Sequence, residues 1–452
     1  MEKKIAPKLS EEQYQKNFKD IKPPLNLDSA IAEANRCLYC YDAPCITACP
    51  TKIDIPSFIK KIATHNFKGS AKVILESNIM GGTCARVCPV ETLCEGSCVY
   101  NGMDQKPIDI GRLQRFSTDW LMKNNDIKLF ERKPDNGKKV AIIGAGPSGL
   151  SCAHNLSRMG YQTTVFEAKD LGGGLNTLGL AEYKITKEFA LEEVNFVTEI
   201  GGIDIKYNTS VGKDVQIQDL LKDYDAVFVG VGLGTTPKLR VEGEDLEGVV
   251  DAIEFIEELK RGPFEKINVG QTVAVVGAGN TAIDAATQAK RLGAKKVYIV
   301  YRRTQKEMPA YEYEYGLALK DECEFLWQTN PTRIIGDDFV TGIELTRMEL
   351  GEPDESGRRV PAPVKGSEFV VPVDMVIKAL GQKPYESFLS SIEGLNLNWG
   401  KVVVNSDMQT SVPKLFAGGD CINGGKETVN AVQDGKLAAF GIHKMIFGEG
   451  EV

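Results

Sequence analysis

The stretch Lys139-Val-Ala-Ile-Ile-Gly-Ala-Gly-Pro-Ser-Gly149 joins an apolar run to a glycine-rich turn. The apolar run predicts a buried parallel strand that ends at Gly144, and the segment up to Met159 predicts a helix. The spacing Gly-x-Gly-x-x-Gly at this junction is typical of a dinucleotide-binding unit. Its first two glycines let the backbone turn and approach a pyrophosphate, and the third lets helix and strand pack closely. The stretch therefore predicts a Rossmann-like α/β fold.

A second copy of this unit lies between Thr272 and Tyr301. Its apolar run leads into Gly277-Ala-Gly-Asn-Thr-Ala282, in which alanine takes the place of the third glycine. In each copy the glycines stand between a predicted strand and a predicted helix, which is the context that a nucleotide site needs. We therefore predict two Rossmann-like, three-layer α/β domains, each of which binds one nucleotide.

Acidic and glycine-rich segments accompany the first copy. Its second strand ends at Glu167, whose carboxylate suits ribose hydroxyls. A glycine-rich loop follows at Asp170–Leu175, and a late strand ends at Gly418-Gly-Asp420. A ligand that contacts all three segments suits FAD, and this combination resembles the two-dinucleotide flavoprotein reductases. The resemblance implies FAD at the first site. No Cys-x4-Cys pair follows the loop, so a disulfide reductase is not expected.

The second copy differs at the position that selects the nucleotide. Arg302 and Arg303 stand where the first copy has Glu167. Two guanidinium groups suit a 2′-phosphate through charged hydrogen bonds, so the sequence favours NADPH, with NADH still possible. The alternative is that both arginines are solvated or pair with the nearby Glu307 and Glu312.

Eight of the eleven cysteines lie within residues 37–98. The first group is Cys37-x2-Cys40-x4-Cys45-x3-Cys49-Pro50, and the second is Cys84-x3-Cys88-Pro89-x4-Cys94-x3-Cys98. Thiolates ligate iron–sulfur clusters, and a [4Fe–4S] cluster takes four ligands. Eight thiols therefore predict two clusters and a path for single electrons.

Proline after a cysteine suggests how the ligands are shared. In the bacterial ferredoxin run, the cysteine before proline ligates the other cluster. By this logic Cys49 and Cys88 belong to one cluster, and Cys37, Cys40 and Cys45 anchor the other.

Two other uses of clustered cysteines fit less well. A disulfide framework belongs to secreted chains, and residues 1–20 lack the apolar core of a signal peptide. Structural zinc usually brings a second Cys-x2-Cys or a histidine pair, and neither follows the first group. A zinc-stabilised nucleotide-binding scaffold without turnover stays as an alternative of a different class.

The 452-residue chain has a formal net charge of −8 and 42% hydrophobic residues. This composition is that of a globular protein, and its negative charge disfavours nucleic acid and anionic membranes as partners. No apolar run approaches the roughly 18 residues of a membrane-spanning helix. A reducing cytoplasm is the expected location.

The predicted secondary structure changes from purely helical to α/β near residue 130. Helical patterns at Ile55–Ile62 and Ala71–Ile79 precede the polar stretch Lys123–Lys139, which is predicted to be a linker. The predicted domains are an α-helical iron–sulfur domain at residues 1–130, a first part of the FAD-binding domain at 138–245, an NAD(P)H-binding domain at 246–372 and a second part of the FAD-binding domain at 373–452.

Four segments carry a resemblance to a known family: Cys37-Leu-Tyr-Cys-Tyr-Asp-Ala-Pro-Cys45, Thr83–Val90, Pro107–Gln114 and Asp420–Lys436. Over nearly its whole length the chain resembles the family of the PreT subunit of bacterial NAD(P)-dependent dihydropyrimidine dehydrogenase. This family includes the N-terminal half of the eukaryotic enzyme, and the small subunit of glutamate synthase is a close cousin. The resemblance implies FAD, two [4Fe–4S] clusters and NADP(H) as cofactors.

The resemblance also implies individual site residues. One cluster is expected on Cys37, Cys40, Cys45 and Cys98, and the other on Cys49, Cys88, Cys94 and Gln114. Cys84 is then not a ligand, although ligand counting alone selects it. The residues expected at FAD are Gly144, Ala145, Gly146, Pro147, Ser148, Gly149, Glu167, Gly173, Gly174, Leu175, Lys184, Val211, Gly419, Asp420 and Thr428. Those expected at the nicotinamide nucleotide are Ala278, Gly279, Asn280, Thr281, Arg302, Arg303, Ala379 and Gly381.

The implied reaction is hydride transfer from NAD(P)H to FAD, followed by electron transfer through the clusters to a second protein. In the dihydropyrimidine dehydrogenase family this partner is an FMN-containing barrel subunit with its own clusters, and it reduces uracil or thymine. The chain lacks the repeats of such a barrel, so a hetero-oligomer is predicted. Two alternatives stay open: the large subunit of glutamate synthase, or a ferredoxin that is reduced directly, with or without bifurcation.

Overall fold

The computed structural model describes residues 4–354 and 357–448. Its N-terminal part is helical and consists of α1 (Glu11–Asn17), α2 (Leu27–Asn35), α3 (Pro44–Ala48), α4 (Ile55–Ala63), α5 (Phe67–Ser77), α6 (Gly81–Val87), a 3₁₀ turn (Val99–Met103) and α7 (Ile110–Lys123). The predicted helices at 55–62 and 71–79 are α4 and α5, and α5 begins four residues earlier, at Phe67. The difference arises because Asn66 caps the N-terminus of α5 by accepting the N–H of Gly69.

The helices enclose an apolar core that reaches the cysteines. Phe58 and Ile59 of α4, Ile74 of α5 and Leu113 of α7 are fully buried there. Cys49 and Cys84 belong to the same buried cluster of side chains. The thiols of the N-terminal part are therefore positioned by a packed helical scaffold.

The predicted linker has no helix or strand between residues 124 and 138, but its side chains are packed. The ring of Phe130 lies edge-on to His154, with 5.0 Å between ring centroids. The guanidinium of Arg158 lies 4.8 Å from the centroid of the Phe130 ring. The segment therefore packs against the helix at residues 147–158, which follows the first fingerprint.

A parallel sheet follows, in the order β16-β4-β1-β2-β3. Its β1 is fully buried after the first residue, because parallel strands are covered on both faces. The elements of this part are β1 (Lys139–Ile143), α8 (Pro147–Arg158), β2 (Gln162–Phe166), α9 (Leu175–Leu178), α10 (Lys187–Thr198), β3 (Ile203–Lys206), α11 (Ile217–Asp223), β4 (Ala226–Val229), α15 (Glu386–Leu389), β14 (Leu397–Asn398), β15 (Lys401–Val402), β16 (Leu415–Ala417), α16 (Asp420–Asn423) and α17 (Thr428–Phe447).

A second parallel sheet has the order β5-β13-β6-β7-β8, and an antiparallel sheet surrounds the long strand β10. The elements of this part are β5 (Val249–Asp251), α12 (Ala252–Arg261), a 3₁₀ turn (Phe264–Lys266), β6 (Thr272–Val276), α13 (Asn280–Arg291), β7 (Lys296–Tyr301), a 3₁₀ turn (Gln305–Glu307), α14 (Glu312–Lys320), β8 (Glu324–Trp327), β9 (Thr329–Gly336), β10 (Val340–Pro353), β11 (Arg359–Pro363), β12 (Phe369–Val371) and β13 (Met375–Lys378). The predicted fold class, a helical domain followed by two Rossmann-like parts, is confirmed.

The chain divides into two compact units. Residues 4–20, 178–183 and 235–383 form unit I, and residues 21–177, 184–234 and 384–448 form unit II. The predicted boundary at 372/373 differs from this division because β13, at Met375–Lys378, pairs with β6 inside the second sheet. Residues 4–20, predicted to belong to the helical domain, lie in unit I, where the N–H of Ala6 bonds to the carbonyl of Val269. Among the described residues, no helix is long and apolar enough to cross a membrane.

Candidate cofactor sites

Of the three glycines in the first fingerprint, which lies in unit II, only Gly146 has space around it for a side chain. A Cβ at Gly144 would lie 2.5 Å from the carbonyl oxygen of Gly230, and one at Gly149 would lie 2.0 Å from the carbonyl oxygen of Gly144. A Cβ at Gly146 would meet nothing within 4 Å. Gly144 and Gly149 are therefore needed for close packing, whereas Gly146 leaves a cradle that a side chain would fill. This arrangement fits a bound dinucleotide.

The helix after this turn keeps its first N–H groups unoccupied by a side chain. Its N-cap is Gly146, with Pro147 at the first helical position, and no side chain caps it. By contrast, Asn26, Asp54 and Asn66 cap helices of the N-terminal part. Uncapped N–H groups at a helix N-terminus bind anions, so α8 is suited to a pyrophosphate.

Glu167 and the second glycine-rich loop lie against the fingerprint. The Glu167 carboxylate accepts the N–H of Ala145 at 2.8 Å and that of Lys169 at 2.9 Å. The N–H of Gly173 bonds to the carbonyl of Ala145 at 2.7 Å, and a Cβ at Gly174 would lie 3.1 Å from the Cα of Gly146. The two glycine-rich segments thus form one binding surface.

The end of β16 completes this surface. A Cβ at Gly419 would lie 2.8 Å from the hydroxyl of Ser148, so this residue passes directly over the start of α8. The N–H of Gly419 donates to Asp434 at 3.0 Å, and Asp420 accepts the N–H of Lys426 at 3.1 Å. Burial raises the pKa of both carboxyl groups. The hydroxyl of Thr428, at the start of α17, donates to Asn176 at 3.0 Å.

The remaining residues predicted at FAD lie elsewhere in unit II. Leu175 begins α9 and is 38% exposed. Lys184 is half-buried, two residues before Thr186, which caps α10. Val211 packs at the edge of the apolar cluster under β4 and forms an isolated bridge with Val215. Their contacts with a ligand stay predictions.

The second fingerprint lies in unit I with similar geometry. A Cβ at Gly277 would lie 2.2 Å from the carbonyl oxygen of Ala379, so the predicted segment 379–381 does adjoin the turn. Gly279 is the N-cap of α13, and no side chain caps that helix. The side-chain oxygen of Asn280 accepts the N–H of Tyr311 at 3.2 Å. The N–H groups at the start of α13, including that of Thr281, suit a second pyrophosphate.

The two arginines after β7 have different environments. Arg302 is exposed, whereas Arg303 is 5% exposed. The guanidinium of Arg303 donates to the carbonyl of Arg359 at 2.7 Å and lies 3.6 Å from Asp354. Within the described residues, Arg303 thus pairs with Asp354, and not with Glu307 or Glu312, the two partners that the sequence suggested. The contact of Arg302 with a 2′-phosphate stays a prediction.

The cysteines of the N-terminal part line two cavities in unit II. Cavity A is lined by Cys37, Cys40, Cys45 and Cys98, together with Leu38, Ile55, Ile59 and Tyr100. Cavity B is lined by Cys49, Cys84, Cys88, Cys94 and Gln114, together with Ile55, Asn78 and Val429. Each predicted set of ligands lines one cavity, Cys84 lines cavity B as well, and the binding of clusters by these residues stays a prediction. Four thiols around one cavity are the donor set of a [4Fe–4S] cluster.

Cavity B holds both candidates for its fourth ligand. The amide nitrogen of Gln114 donates to the carbonyl of Gly81 at 2.7 Å, so its oxygen remains as a donor atom for a metal. Cys84 lies one turn before Cys88 on the same helix and forms a side-chain hydrogen bond with it. The two candidates, Gln114 and Cys84, are both buried.

The thiols of Cys45 and Cys88 hold their protons more tightly than an ordinary thiol does. Burial raises the pKa of Cys45 to about 12, and the hydrogen bond to Cys84 together with burial raises that of Cys88 well above its ordinary value. Bound metal converts such thiols into thiolates. Within the described ranges, no three His, Cys, Asp or Glu side chains converge on a single metal ion, and the thiols instead surround each cavity.

Three polar residues near cavity B were not predicted from sequence. The hydroxyl of Thr51 lies 3.3 Å from the sulfur of Cys49. The ammonium of Lys436 on α17 donates to the carbonyl of Ser77 at 2.8 Å, and Asn78 lines the cavity. Of these three residues, only Lys436 could have been found from sequence, because it ends one of the four segments that resemble the known family.

Two family models match the chain. The first describes the dihydropyrimidine dehydrogenase domain II with a 4Fe-4S cluster and matches residues 14–126. The second describes the pyridine nucleotide-disulphide oxidoreductases and matches residues 138–435. The cysteines outside the N-terminal part, Cys152, Cys323 and Cys421, are buried free thiols.

Individual proteins are similar over different shares of their length. The glutamate synthase [NADPH] small chain of Escherichia coli (strain K12) is 37% identical over 450 residues, which are 94% of this chain and 93% of that protein. The NADPH-Fe(3+) oxidoreductase subunit beta of Geobacter sulfurreducens is 39% identical over 383 residues, which are 82% of this chain and 56% of that protein. Mycobacterium tuberculosis FprA in complex with NADPH shares the fold, with a TM-score of 0.57 at 20% identity over 70% of this chain and 85% of that one.

These similarities confirm the predicted class of protein, an oxidoreductase with an iron–sulfur domain followed by a two-dinucleotide flavoprotein fold. The number of clusters and the partner stay predictions. The chain belongs to the pyridine nucleotide-disulphide oxidoreductase family and carries an N-terminal 4Fe-4S domain of the dihydropyrimidine dehydrogenase type.

Proposed function

We propose that this chain is the electron-input subunit of a larger enzyme, which takes hydride from NADPH and passes electrons singly to a partner protein. When bound, FAD and two [4Fe–4S] clusters would convert the electron pair of a hydride into single electrons. The residues of the chain bind these groups, hold them in sequence and exclude water from them.

The continuity of sites in unit II carries this proposal. Thr428 begins α17 beside the glycine-rich loop, and its neighbour Val429 lines cavity B. Ile55 lines both cavity B and cavity A. The candidate FAD site, cavity B and cavity A are therefore adjacent in this order, which suits transfer of electrons from one to the next.

Exposed apolar side chains in the segments that contain the cysteines of cavity A suit the exit of electrons to a partner. Leu38 lines the cavity and is 51% exposed, and Tyr41, within the same cysteine segment, is 98% exposed. Met103, shortly after Cys98, is 55% exposed.

Two partners follow from similarity. The motifs around the cysteines and the N-terminal domain match favour the FMN-containing subunit of a dihydropyrimidine dehydrogenase. The full-length similarity to a glutamate synthase small chain favours the large subunit of that enzyme as a second candidate. A hetero-oligomer is proposed in both cases.

Steady-state assays with the purified chain test this function. Alone, it is expected to oxidise NADPH with an artificial dye as acceptor and to leave uracil unchanged. Addition of the correct partner should couple NADPH oxidation either to uracil or to glutamine and 2-oxoglutarate. Reduction of uracil by the isolated chain, or failure to reduce any dye, would contradict the proposal.

A further inference from the structure

Asn78 is held in a fixed position on the wall of cavity B. It follows the last residue of α5, and its backbone N–H bonds to the carbonyl of Ile74 at 2.9 Å. The carbonyl before it, that of Ser77, accepts from the ammonium of Lys436 at 2.8 Å. The side chain is fully buried.

The two ends of this side chain have different environments. Its oxygen accepts the backbone N–H of Met80 at 3.1 Å. Because that position must hold an acceptor, the amide nitrogen occupies the other position. This nitrogen is buried and has no hydrogen-bond partner within residues 4–354 and 357–448, the parts of the chain that the structure describes. A buried amide that donates no hydrogen bond is costly, so this nitrogen calls for a partner, and a group bound in cavity B can supply one.

We infer that the Asn78 amide donates a hydrogen bond to a sulfur atom of the iron–sulfur cluster in cavity B and thereby raises its reduction potential. This inference rests on the proposed function, which places a cluster there. The sulfides and thiolates of such a cluster accept hydrogen bonds, and these bonds favour the reduced, more negative state. Asn78 therefore positions and tunes the cluster without being one of its ligands.

The surroundings of Asn78 support this role. The ammonium of Lys436 adds a fixed positive charge one residue away, at the carbonyl of Ser77. The hydroxyl of Thr51 reaches the sulfur of Cys49 on the same cavity. In cavity A, by comparison, the hydroxyl of Tyr100 is already bonded to the carbonyl of Arg36 at 2.7 Å. A hydroxyl and an ammonium therefore lie close to the Cys49 and Asn78 side of cavity B.

Potentiometric titration followed by electron paramagnetic resonance tests the inference on anaerobically purified protein. In Asn78→Leu, which keeps a similar volume without a donor, the equilibrium constant for reducing the cavity B cluster should fall about tenfold, or about 59 mV for one electron. The cavity A cluster is the internal control and should keep its potential. A Cys88→Ser variant identifies which signal belongs to cavity B.

Two further variants separate tuning from loss of structure. Asn78→Asp keeps the acceptor for Met80 and replaces the donor, so at pH 8 it should lower the same potential. Asn66→Ala removes the cap at the other end of α5 and should lower stability without shifting either potential. Equal potentials in wild type and both Asn78 variants would overturn the inference. Wild-type protein without a cluster in cavity B would instead contradict the proposed function.

Discussion

The side-chain amide of Gln114 donates a hydrogen bond to the carbonyl of Gly81 across 2.7 Å, on the wall of cavity B. This bond fixes which end of the amide is nitrogen and leaves the oxygen as the donor atom for a metal. Cys84, three residues after Gly81 on α6, is the competing ligand. The resemblance to the dihydropyrimidine dehydrogenase family favours Gln114.

Substitution of these two residues should therefore have opposite results. Cys84→Ala is expected to retain about eight iron atoms per FAD, whereas Gln114→Leu should lose about four, those of one [4Fe–4S] cluster. Iron and acid-labile sulfide analyses of anaerobic protein measure this. Loss of iron in Cys84→Ala together with full iron in Gln114→Leu would assign the eighth ligand to the cysteine.

The two arginines after β7 should separate nucleotide selection from stability. Arg302→Ala removes an exposed guanidinium and is expected to raise the KM for NADPH about tenfold to a hundredfold, with little change for NADH, because a charged hydrogen bond contributes about 1.5–3 kcal/mol. Arg303→Ala should lower the free energy of unfolding by about 1–3 kcal/mol, since it leaves the carbonyl of Arg359 without its donor. Equal losses for both nucleotides in Arg302→Ala would refute the 2′-phosphate role.

Gly146 should be required for FAD but not for folding. A Cβ there meets no protein atom and would occupy the phosphate cradle, so Gly146→Ala is expected to lose more than tenfold in FAD affinity while the apoprotein keeps its melting temperature. Absorbance of bound flavin and thermal unfolding measure the two effects. Gly316→Ala, at another open position, is the matched control and should retain flavin fully. Normal FAD binding by Gly146→Ala would place the pyrophosphate elsewhere.

Acid sensitivity should depend on His154. Burial lowers the pKa of this side chain to about 3, against about 6.5 in the unfolded chain. Between these values the unfolded chain binds a proton that the folded chain does not, so stability falls as the pH falls. From pH 7 to 5 this residue should cost about 2 kcal/mol at about 1.4 kcal/mol per pH unit below 6.5.

A His154→Phe variant should lack this part of the pH dependence in urea unfolding. The exposed His65 provides the control, and His65→Asn should keep the slope of the wild type. An unchanged slope in His154→Phe would mean that another group controls acid stability.

The regular elements around the nucleotide sites follow closely from sequence. Both fingerprints stand between a buried strand and a helix, as the apolar runs before Gly144 and Gly277 predict. Such runs are local signals, because a strand buried on both faces must be apolar throughout. The cysteines lie around two cavities, and the sharing of ligands drawn from proline positions and resemblance stays a prediction.

Features that depend on distant contacts did not follow from sequence. The pairing of Arg303 with Asp354 joins β7 to the antiparallel sheet around β10, which the pattern of residues did not indicate. The orientation of the Asn78 amide nitrogen depends on the bond from the Met80 N–H to the Asn78 oxygen and on the packing of Ser77 against Lys436. A single amide has no periodicity, so its environment is set by tertiary packing alone.

The most direct test of the electron-input role is the content of iron and acid-labile sulfide per FAD in anaerobically purified protein, with spectra before and after NADPH. We expect about eight iron atoms and eight sulfides per FAD, and bleaching of the flavin by NADPH. Zinc in place of iron, or a flavin that neither NADPH nor NADH reduces, would contradict it and support a zinc-stabilised nucleotide-binding scaffold.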